Sequence, residues 1–260
     1  MAALMNRAAT RVAVDQEGVR DSRLPPDVVR DMLALPDPAL RRLAGVVHLP
    51  VIRPDGSLAL DDGYEPASRL LQVLDPGVVA DVAAISPAPT AEDRSEALRL
   101  LVEELLGDFP FARESDRAHA LAAIVLPAVR HLVEGPTPLH LVEAPSEGTG
   151  KTLLADAVSL LATGIAARPH TLPRTEEELR KKLTATLIGS PAVVLLDNVN
   201  QTLDSENLAA VLTADTWSDR LLVQTRMVEV PNRALWLATA NNPVVSRENA
   251  RRSVRIRLDA

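Results

Sequence analysis

The sequence predicts an α/β fold in which a mainly parallel, five-stranded sheet lies between two layers of helices. Strand-like and helix-like segments alternate from residue 139 to the end of the chain. Residues 192–197, AVVLLD, form a continuous apolar run, which is typical of a central parallel strand covered on both faces. Residues 139–154 combine a short apolar run, a loop of small residues and an apolar-periodic helix. Together these observations indicate a three-layer fold.

The remaining elements of this core follow from the same periodicities. Residues 165–172 are a weak strand candidate. Residues 175–187 are predicted to form a helix that begins with a capping box of Thr175 and Glu178. The last predicted elements are a helix at 203–212, a two-stranded hairpin at 221–231, a fourth parallel strand at 234–240 and a fifth at 253–258.

Four regions are predicted along the chain. They are a flexible N-terminus at residues 1–20, a small proline-rich α+β module at 21–86, helices at 90–137 and the core at 138–260. The α+β module contains short apolar segments around an Asp55-Gly56 turn and no cluster of titratable residues. This pattern favours a structural cap over a catalytic role.

Two helices are predicted between this module and the core. A linker at residues 85–90 precedes the first helix, which Thr90 caps and Gly107 ends. The second helix covers residues 115–133, and Pro127 is expected to kink it because proline removes a backbone donor. Nearly all the residues of both helices are predicted to be core, and we assign them no chemistry.

Composition excludes several kinds of site. The 260 residues contain no cysteine, which excludes disulfides, thiolate zinc sites and cysteine nucleophiles and fits a reducing compartment. No apolar run reaches the ~18 residues of a membrane span and no secretory signal is visible, so we expect a cytoplasmic protein without a membrane partner. The net charge is −7, with 16 basic against 24 acidic residues over 1–169 and 12 against 11 over 170–260. A polyanion is therefore expected to contact the C-terminal third.

Residues 145–153 have the composition of a phosphate-binding loop. The candidate nucleotide-binding residues are Pro145, Ser146, Glu147, Gly148, Thr149, Gly150, Lys151, Thr152 and Leu153. A triphosphate needs backbone N–H donors at a helix N-terminus, and Gly148 and Gly150 let the backbone curl around it. Lys151 is predicted to reach the β- and γ-phosphates, and the Thr152 hydroxyl to hold Mg²⁺.

The loop departs from the usual motif at one position, where Pro145 replaces the first glycine. An ordinary glycine-rich turn is the alternative, and the strand before it and the helix after it favour the phosphate loop.

Polar residues follow two of the predicted strands. Asp197 ends the central strand, where ligands collect in open parallel sheets and where an acid would meet the water shell of Mg²⁺. Residues 239–243, TANNP, follow the fourth strand, where a polar side chain can contact the γ-phosphate. Asn241 is favoured over Asn242 because it lies nearer the strand end. Ordinary turns are the alternative at both places.

The order of these parts resembles the AAA+ ATPase cores of superfamily 3-like helicases, in particular the primase-helicases or replication ATPases of bacteriophages and mobile elements. The resemblance rests on APSEGTGKT, VVLLDN, a hairpin, LATANNP and ARRSVRIRLDA, and it covers residues 109–260. It implies a P-loop NTPase (AAA+-like) fold, an ATPase that uses ATP and Mg²⁺, and a homo-oligomeric, hexameric ring. Because the sequence stops after the fifth strand, we expect a C-terminal lid to be absent, as in a fragment or a shortened relative.

The resemblance also implies roles for single residues. Arg251 and Arg252 precede the last strand and are expected to reach the γ-phosphate of a neighbouring subunit, with surface charge as the alternative. Asn198 stands where hydrolysing relatives place a glutamate, and an amide cannot accept a proton from the attacking water. The candidate bases that remain open are Glu147, Asp204 and Glu206.

Two functions remain open on the sequence alone. The first is a helicase or replication ATPase that grips single-stranded DNA in a ring channel, with Arg226 near the hairpin tip contacting phosphates. The second is a nucleotide-gated switch or loader that hydrolyses slowly and acts on a protein partner. Asn198 favours the second, and so does an aromatic content of 2%, which offers few stacking platforms. Trp217 and Trp236 are predicted to be core residues, and the five histidines are too scattered to predict a metal site.

Overall fold

The computed structural model describes residues 11–15, 18–22, 25–34, 41, 43–83, 86, 88–221 and 227–259. The chain divides into two compact units, residues 1–43 and residues 44–260. In the first unit, strands β1 (Arg11–Asp15) and β2 (Gly18–Ser22) pair antiparallel, and helix α1 (Pro26–Ala34) follows. The hairpin overlaps a segment that the sequence predicts to be flexible; Val12 and Val14 alternate there as in a strand. Residues 1–10 of that segment lie outside the described residues.

Residues 45–72 form a small β module. Strands β3 (Gly45–Val47), β4 (Val51–Ile52), β5 (Leu58–Ala59), β6 (Gly63–Glu65) and β7 (Leu70–Gln72) form a three-stranded sheet, ordered β3-β7-β6, and a β4-β5 hairpin around the Asp55-Gly56 turn. Buried Gln72 ties the two sheets together. Its Oε1 accepts from the Val51 N–H at 2.8 Å, and its Nε2 donates to the Asp61 carbonyl at 2.8 Å.

Helices lead from this module to the core. They are α2 (Pro76–Ala83), α3 (Ala91–Arg99), a π-helical turn (Leu100–Leu105), α4 (Glu114–Val129) and a 3₁₀ turn (Arg130–Leu132). Thr90 caps α3 as predicted, with a reciprocal bond to Asp93. Helix α4 gives way to the 3₁₀ turn shortly after Pro127, which cannot donate to the helical ladder. The prediction that nearly all residues of both helices are core is wrong. Helix α3 is largely charged and has no buried residue, and four of the 16 residues of α4 are buried, whereas Leu106 is fully buried.

The core sheet has five parallel strands. They are β8 (Leu139–Ala144), β9 (Pro169–His170), β10 (Val193–Val199), β13 (Leu235–Asn241) and β14 (Ser253–Arg257), in the order β14-β8-β13-β10-β9. Strands β11 (Thr216–Arg220) and β12 (Met227–Pro231) form a separate antiparallel hairpin. All four neighbouring pairs in the core sheet are parallel. This confirms the predicted α/β fold.

Helices cover both faces of the core sheet. They are α5 (Lys151–Thr163), α6 (Glu176–Ile188), α7 (Glu206–Val211) and the short α8 (Arg247–Ala250). Side chains of β8 alternate between two buried layers: Leu141 packs in the layer of α6 and α7, and Val142 in the layer of α4 and α5. Trp217 and Trp236 both belong to the first layer, which confirms that they are core residues.

The β11–β12 hairpin begins earlier than predicted. Its first strand ends before Leu221, where the sequence predicts the hairpin to begin. In this strand Trp217 and Asp219 face inward and alternate with exposed residues. Asp219 is 7% exposed and binds the Arg180 guanidinium and the Thr184 hydroxyl of α6. Because this buried residue is an aspartate, the sequence lacks the apolar alternation that would predict the strand.

Two other strands differ from their predicted bounds. Strand β10 continues past Asp197, with a register shift against β13 between Leu196 and Val199. Asn198 lies within this shift and has a φ of 51°. Such a bulge inserts one residue and bends the strand locally. Strand β9 has only two residues of the predicted 165–172, because it lies at the edge of the sheet and pairs with β10 alone.

The core helices begin close to their predicted positions. Thr175 caps α6 by accepting from the Glu178 N–H at 3.3 Å, but the Glu178 carboxylate accepts from Lys181 instead, so half of the capping box is present. Helix α7 begins after Ser205, which caps it, rather than at residue 203.

Among the described residues, none of the helices combines the length and hydropathy of a bilayer span.

His140 of β8 is a buried histidine with unsatisfied ring nitrogens. It is 3% exposed, and neither nitrogen has a partner among the described residues. Burial, with a smaller contribution from the charge of His119, lowers the pKa of His140 from 6.5 to about 4. The unfolded chain therefore binds this proton more readily, so stability falls as the pH drops from 6.5 towards 4.

We expect His140→Leu to remove this acid sensitivity. Between about pH 7 and pH 5 the wild-type chain should lose about 2 kcal/mol of unfolding free energy through this one group. The leucine variant should not, because it replaces two unsatisfied nitrogens by apolar atoms. Urea unfolding at both pH values measures the difference, and an equal loss in both proteins would contradict the prediction.

Candidate functional site

The loop between β8 and α5 has backbone features that a phosphate-binding loop requires. Gly148 and Gly150 have φ values of 76° and 84°, which glycine adopts without Cβ strain. Gly150 is the N-cap of α5, and no described side chain caps this helix end. The N–H groups of the first turn, from Lys151 to Leu153, are therefore available to an anion.

Lys151 places a positive charge on this loop. Its Nζ donates to the Ser146 carbonyl at 2.7 Å and to Thr149 Oγ1 at 3.0 Å. Burial lowers the pKa of Lys151, and the charges of Glu147 and Asp197 oppose that shift. The interaction with Asp197 indicates that the loop and the carboxyl end of β10 face the same region.

Hydroxyl groups from two other elements contact Asp197. Thr239 Oγ1 of β13 donates to Asp197 Oδ1 at 2.6 Å and accepts from the Asn198 N–H at 2.8 Å. Thr152 Oγ1 of α5 makes a longer contact, 3.4 Å, with the same Oδ1. Thr239 is 1% exposed and acts as a positioning residue for the carboxylate. Its role was not predicted, although a hydroxyl in the apolar run LWLATA was a visible indication.

This pair of oxygen donors suits Mg²⁺ that is bound together with phosphate groups. Within the described ranges, no group of three His, Cys, Asp or Glu side chains could hold a metal ion. Mg²⁺ commonly binds through one or two carboxylates and completes its shell with phosphate oxygens and water. Thr152 and Asp197 fit that mode of binding.

Both candidate asparagines lie beside the loop. Asn242, with a φ of 40°, donates from Nδ2 to the Pro145 carbonyl at 3.0 Å and from its N–H to the Ala144 carbonyl at 3.0 Å. Asn241 aligns with Ala144 in the β13–β8 register, and its buried Oδ1 has no partner among the described residues. Asn242 thus anchors the loop, whereas the Asn241 amide oxygen, which can only accept a hydrogen bond, is free to accept one from a donor such as water.

Arg251 and Arg252 lie at the opposite end of the sheet. They precede β14, and the Leu139 N–H at the start of β8 donates to the Arg252 carbonyl at 2.9 Å. The candidate phosphate loop follows the other end of β8, about 17 Å away along the strand. Arg251 is exposed, and Arg252 pairs with Glu248 at 3.3 Å. Neither arginine is placed to reach the loop of its own chain.

Two other arginines line a cleft beside the loop. The cleft has a volume of about 400 Å³, and Arg255, Arg257, buried Glu143, Pro145 and Asn242 help to line it. Arg257 Nη2 and Arg255 Nη1 lie 2.7 Å and 3.5 Å from Glu143 Oε1. These arginines were not predicted as site residues, although their spacing of two in a strand places them on one face.

The remaining predicted residues are less well connected to the loop. Arg226 lies outside the described residues, in the segment between β11 and β12. Among the candidate bases, Glu147 acts electrostatically on Lys151. Asp204 and Glu206 are exposed residues at the start of α7.

Comparisons with known proteins give a distant structural likeness. No protein-family model and no curated protein matches the chain. Three solved structures of JCV helicase are similar, one of them with a thiazolopyridine acetamide compound and another with an inhibitor bound. Their identities are 19%, 17% and 16%, and their TM-scores are 0.35, 0.36 and 0.36. They align with 71%, 70% and 69% of this chain and 57%, 58% and 48% of the helicase chains. The chain thus spans about half the length of these helicases, and TM-scores this low do not support a transfer of function.

Proposed function

We propose that the chain binds and hydrolyses ATP as the P-loop core of a superfamily 3-like helicase or replication ATPase. The observation that carries the proposal is the convergence of Lys151, Thr152 and Asp197 at the uncapped amino end of α5. A helix end with free N–H groups, an ammonium group and a carboxylate beside a hydroxyl is what a magnesium-bound triphosphate requires.

Each residue of this site has its own role in the proposal. Lys151 and the first-turn N–H groups bind the β- and γ-phosphates. Thr152 and Asp197 would hold Mg²⁺, which supplies further neutralisation of phosphate charge when bound. Thr239 keeps the carboxylate oriented, and Asn241 contacts the γ-phosphate.

Single-stranded DNA is the polymer we assign to this ATPase. The C-terminal third is nearly balanced in charge, with 12 basic and 11 acidic residues, in an otherwise acidic chain. The β11–β12 hairpin in this third is not part of the core sheet, so its connecting segment, which contains Arg226, is a candidate for phosphate contacts.

The test is the rate of ATP turnover with and without single-stranded DNA. We expect DNA to raise turnover several-fold and added salt to suppress that stimulation, because phosphate contacts release counterions. Turnover that is measurable but indifferent to DNA would contradict the DNA assignment and leave the ATPase assignment in place.

A second candidate function is a nucleotide-gated switch or loader that acts on a protein partner. Asn198 favours it, because an amide can orient the attacking water but cannot accept its proton. In that case ATP binds tightly, and its turnover stays slow with or without DNA.

Assembly into a ring would give Arg251 and Arg252 a role that they lack within one chain. A head-to-tail contact can bring them to the neighbouring nucleotide, and such contacts close into rings, here proposed to be hexameric. Each lone subunit would then hold ATP with an incompletely neutralised γ-phosphate.

Mixing two inactive variants tests this assembly. A Lys151→Ala chain can still donate its arginines, and an Arg251→Ala, Arg252→Ala chain can still bind ATP. In a ring assembled at random from equal amounts of the two variants, about one site in four combines an intact Lys151 with intact arginines from the neighbouring subunit. About a quarter of wild-type turnover should therefore return. If none returns and light scattering finds a monomer at every ATP concentration, these arginines are surface charge.

A further inference from the structure

A second cleft, with a volume of about 340 Å³, lies at the amino-terminal ends of β10 and β13. Ala192 and Arg233, which precede these strands, line it together with residues of β3 such as Val46. The phosphate loop lies at the opposite edge of the same parallel sheet, about 20 Å away along β13. The cleft is therefore separate from the candidate nucleotide site.

Positive charge dominates this cleft. Arg69, Arg130 and Arg233 line it, and none of its lining residues is acidic. Arg130 is 5% exposed, and its guanidinium donates hydrogen bonds to three backbone carbonyls at 2.9 to 3.2 Å. Its buried Nε has no partner among the described residues. Burial and then the charge of Arg233 lower the pKa of Arg130, and the charge of Asp215 offsets this only in part. A buried cation in this setting is stabilised by a bound anion.

Two residues of this cleft have a strained backbone conformation. Four described residues other than glycine have positive φ values. Asn198 and Asn242 are at the candidate nucleotide site, and Arg69 (58°) and Ser190 (48°) line this second cleft. Asparagine tolerates this conformation, whereas arginine and serine rarely adopt it unless their surroundings impose it, as at ligand sites.

The rest of the lining limits the kind of ligand. It is largely aliphatic, with Val46, Val47, Leu70 and Pro127, and contains no Phe, Tyr or Trp. Single-stranded nucleic acids are usually held by aromatic stacking, which this cleft does not offer, and its volume suits a small molecule. Guanidinium groups match the oxygens of a phosphate group, so Arg69 and Arg233 suit a dianion, and Arg130 adds its positive charge beside them.

We propose that this cleft binds a small organic phosphate monoester. Arg69 and Arg233 bind its phosphate beside the positive charge of Arg130, and its apolar body contacts the aliphatic wall. The site belongs to the core and the β module together and does not depend on ATP binding at the other edge of the sheet.

Calorimetric titration with phenyl phosphate and with inorganic phosphate tests the proposal. We expect phenyl phosphate to bind more tightly, because its ring adds apolar contact. Arg69→Gln and Arg233→Gln should each weaken its binding about tenfold through the loss of a charge-assisted hydrogen bond. Arg94→Gln, which removes an exposed arginine of α3 outside both clefts, should leave the affinity unchanged. Arg130 is left intact because it holds three carbonyls.

Lys151→Ala separates this site from the phosphate loop. Binding that survives in Lys151→Ala and weakens in the Arg69 and Arg233 variants supports the proposal. Loss of binding in Lys151→Ala with no effect of the two arginine variants would overturn it, as would the absence of heat from both probes. Equal affinities for the two probes would overturn the apolar part of the site.

Discussion

Lys151→Ala is expected to weaken ATP binding by at least about 100-fold and to abolish hydrolysis, because the N–H groups of the loop leave the β- and γ-phosphate charge poorly compensated. The fold should survive the substitution. Among the described residues, the Lys151 ammonium group bonds to the Ser146 carbonyl and Thr149 Oγ1 of the loop itself, and Lys151 is not part of either core layer. Titration with a fluorescent ATP analogue measures the affinity, and thermal unfolding verifies the fold.

Lys181→Ala is the matched control. Lys181 lies on α6 and pairs with Glu177 at 2.7 Å and Glu178 at 2.9 Å, so its loss removes the same charge away from the loop. Ion pairs of this kind contribute little to stability, and ATP affinity should remain at the wild-type value. Wild-type affinity in a folded Lys151→Ala chain would instead reject the assignment of the phosphate loop.

The central strands could be predicted because their side chains meet helices on both faces. Every residue of β8 is buried, and β13 is buried up to its last residue, so most positions in both strands are apolar and the pattern can be recognised without knowledge of the neighbouring strands. Edge strand β9 has no such pattern, and the predicted range of 165–172 was correspondingly too long.

Polar residues with partners distant in sequence could not be placed in the same way. Asp219 is buried in β11 only because Arg180 and Thr184, 39 and 35 residues away, bind it. Thr239 contacts Asp197 across 42 residues, and Arg257 reaches Glu143 across 114. The phosphate loop is different, because its residues are contiguous and their chemistry is local. The sequence therefore predicted the loop as a candidate site, but it did not predict that Thr239 orients Asp197 or that Arg255 and Arg257 line the adjoining cleft.

Asn198 has two physical explanations, and the sequence suggested only one of them. The sequence showed an amide where hydrolysing relatives place a base. The structure adds a φ of 51° and an N–H bond to Thr239 Oγ1 at 2.8 Å. Asparagine tolerates this left-handed conformation better than glutamate does. The residue therefore fits the bulge that places Asp197 beside Thr239, whatever its effect on hydrolysis.

Asn198→Glu is expected to raise ATP turnover by about 10² to 10⁴-fold, the usual contribution of a general base, and to lower the melting temperature because glutamate is strained at this φ. Asn198→Gly is the matched control. Glycine accepts this conformation and keeps the backbone N–H bond to Thr239, but it lacks the side-chain amide. It should retain ATP affinity and slow turnover without loss of stability. Single-turnover kinetics and thermal unfolding separate the two effects, because the base acts on the rate and the strain acts on stability. If Asn198→Glu instead lowers turnover at unchanged ATP affinity, another carboxylate, such as Glu147, already accepts the proton and the site is adjusted to an amide at this position.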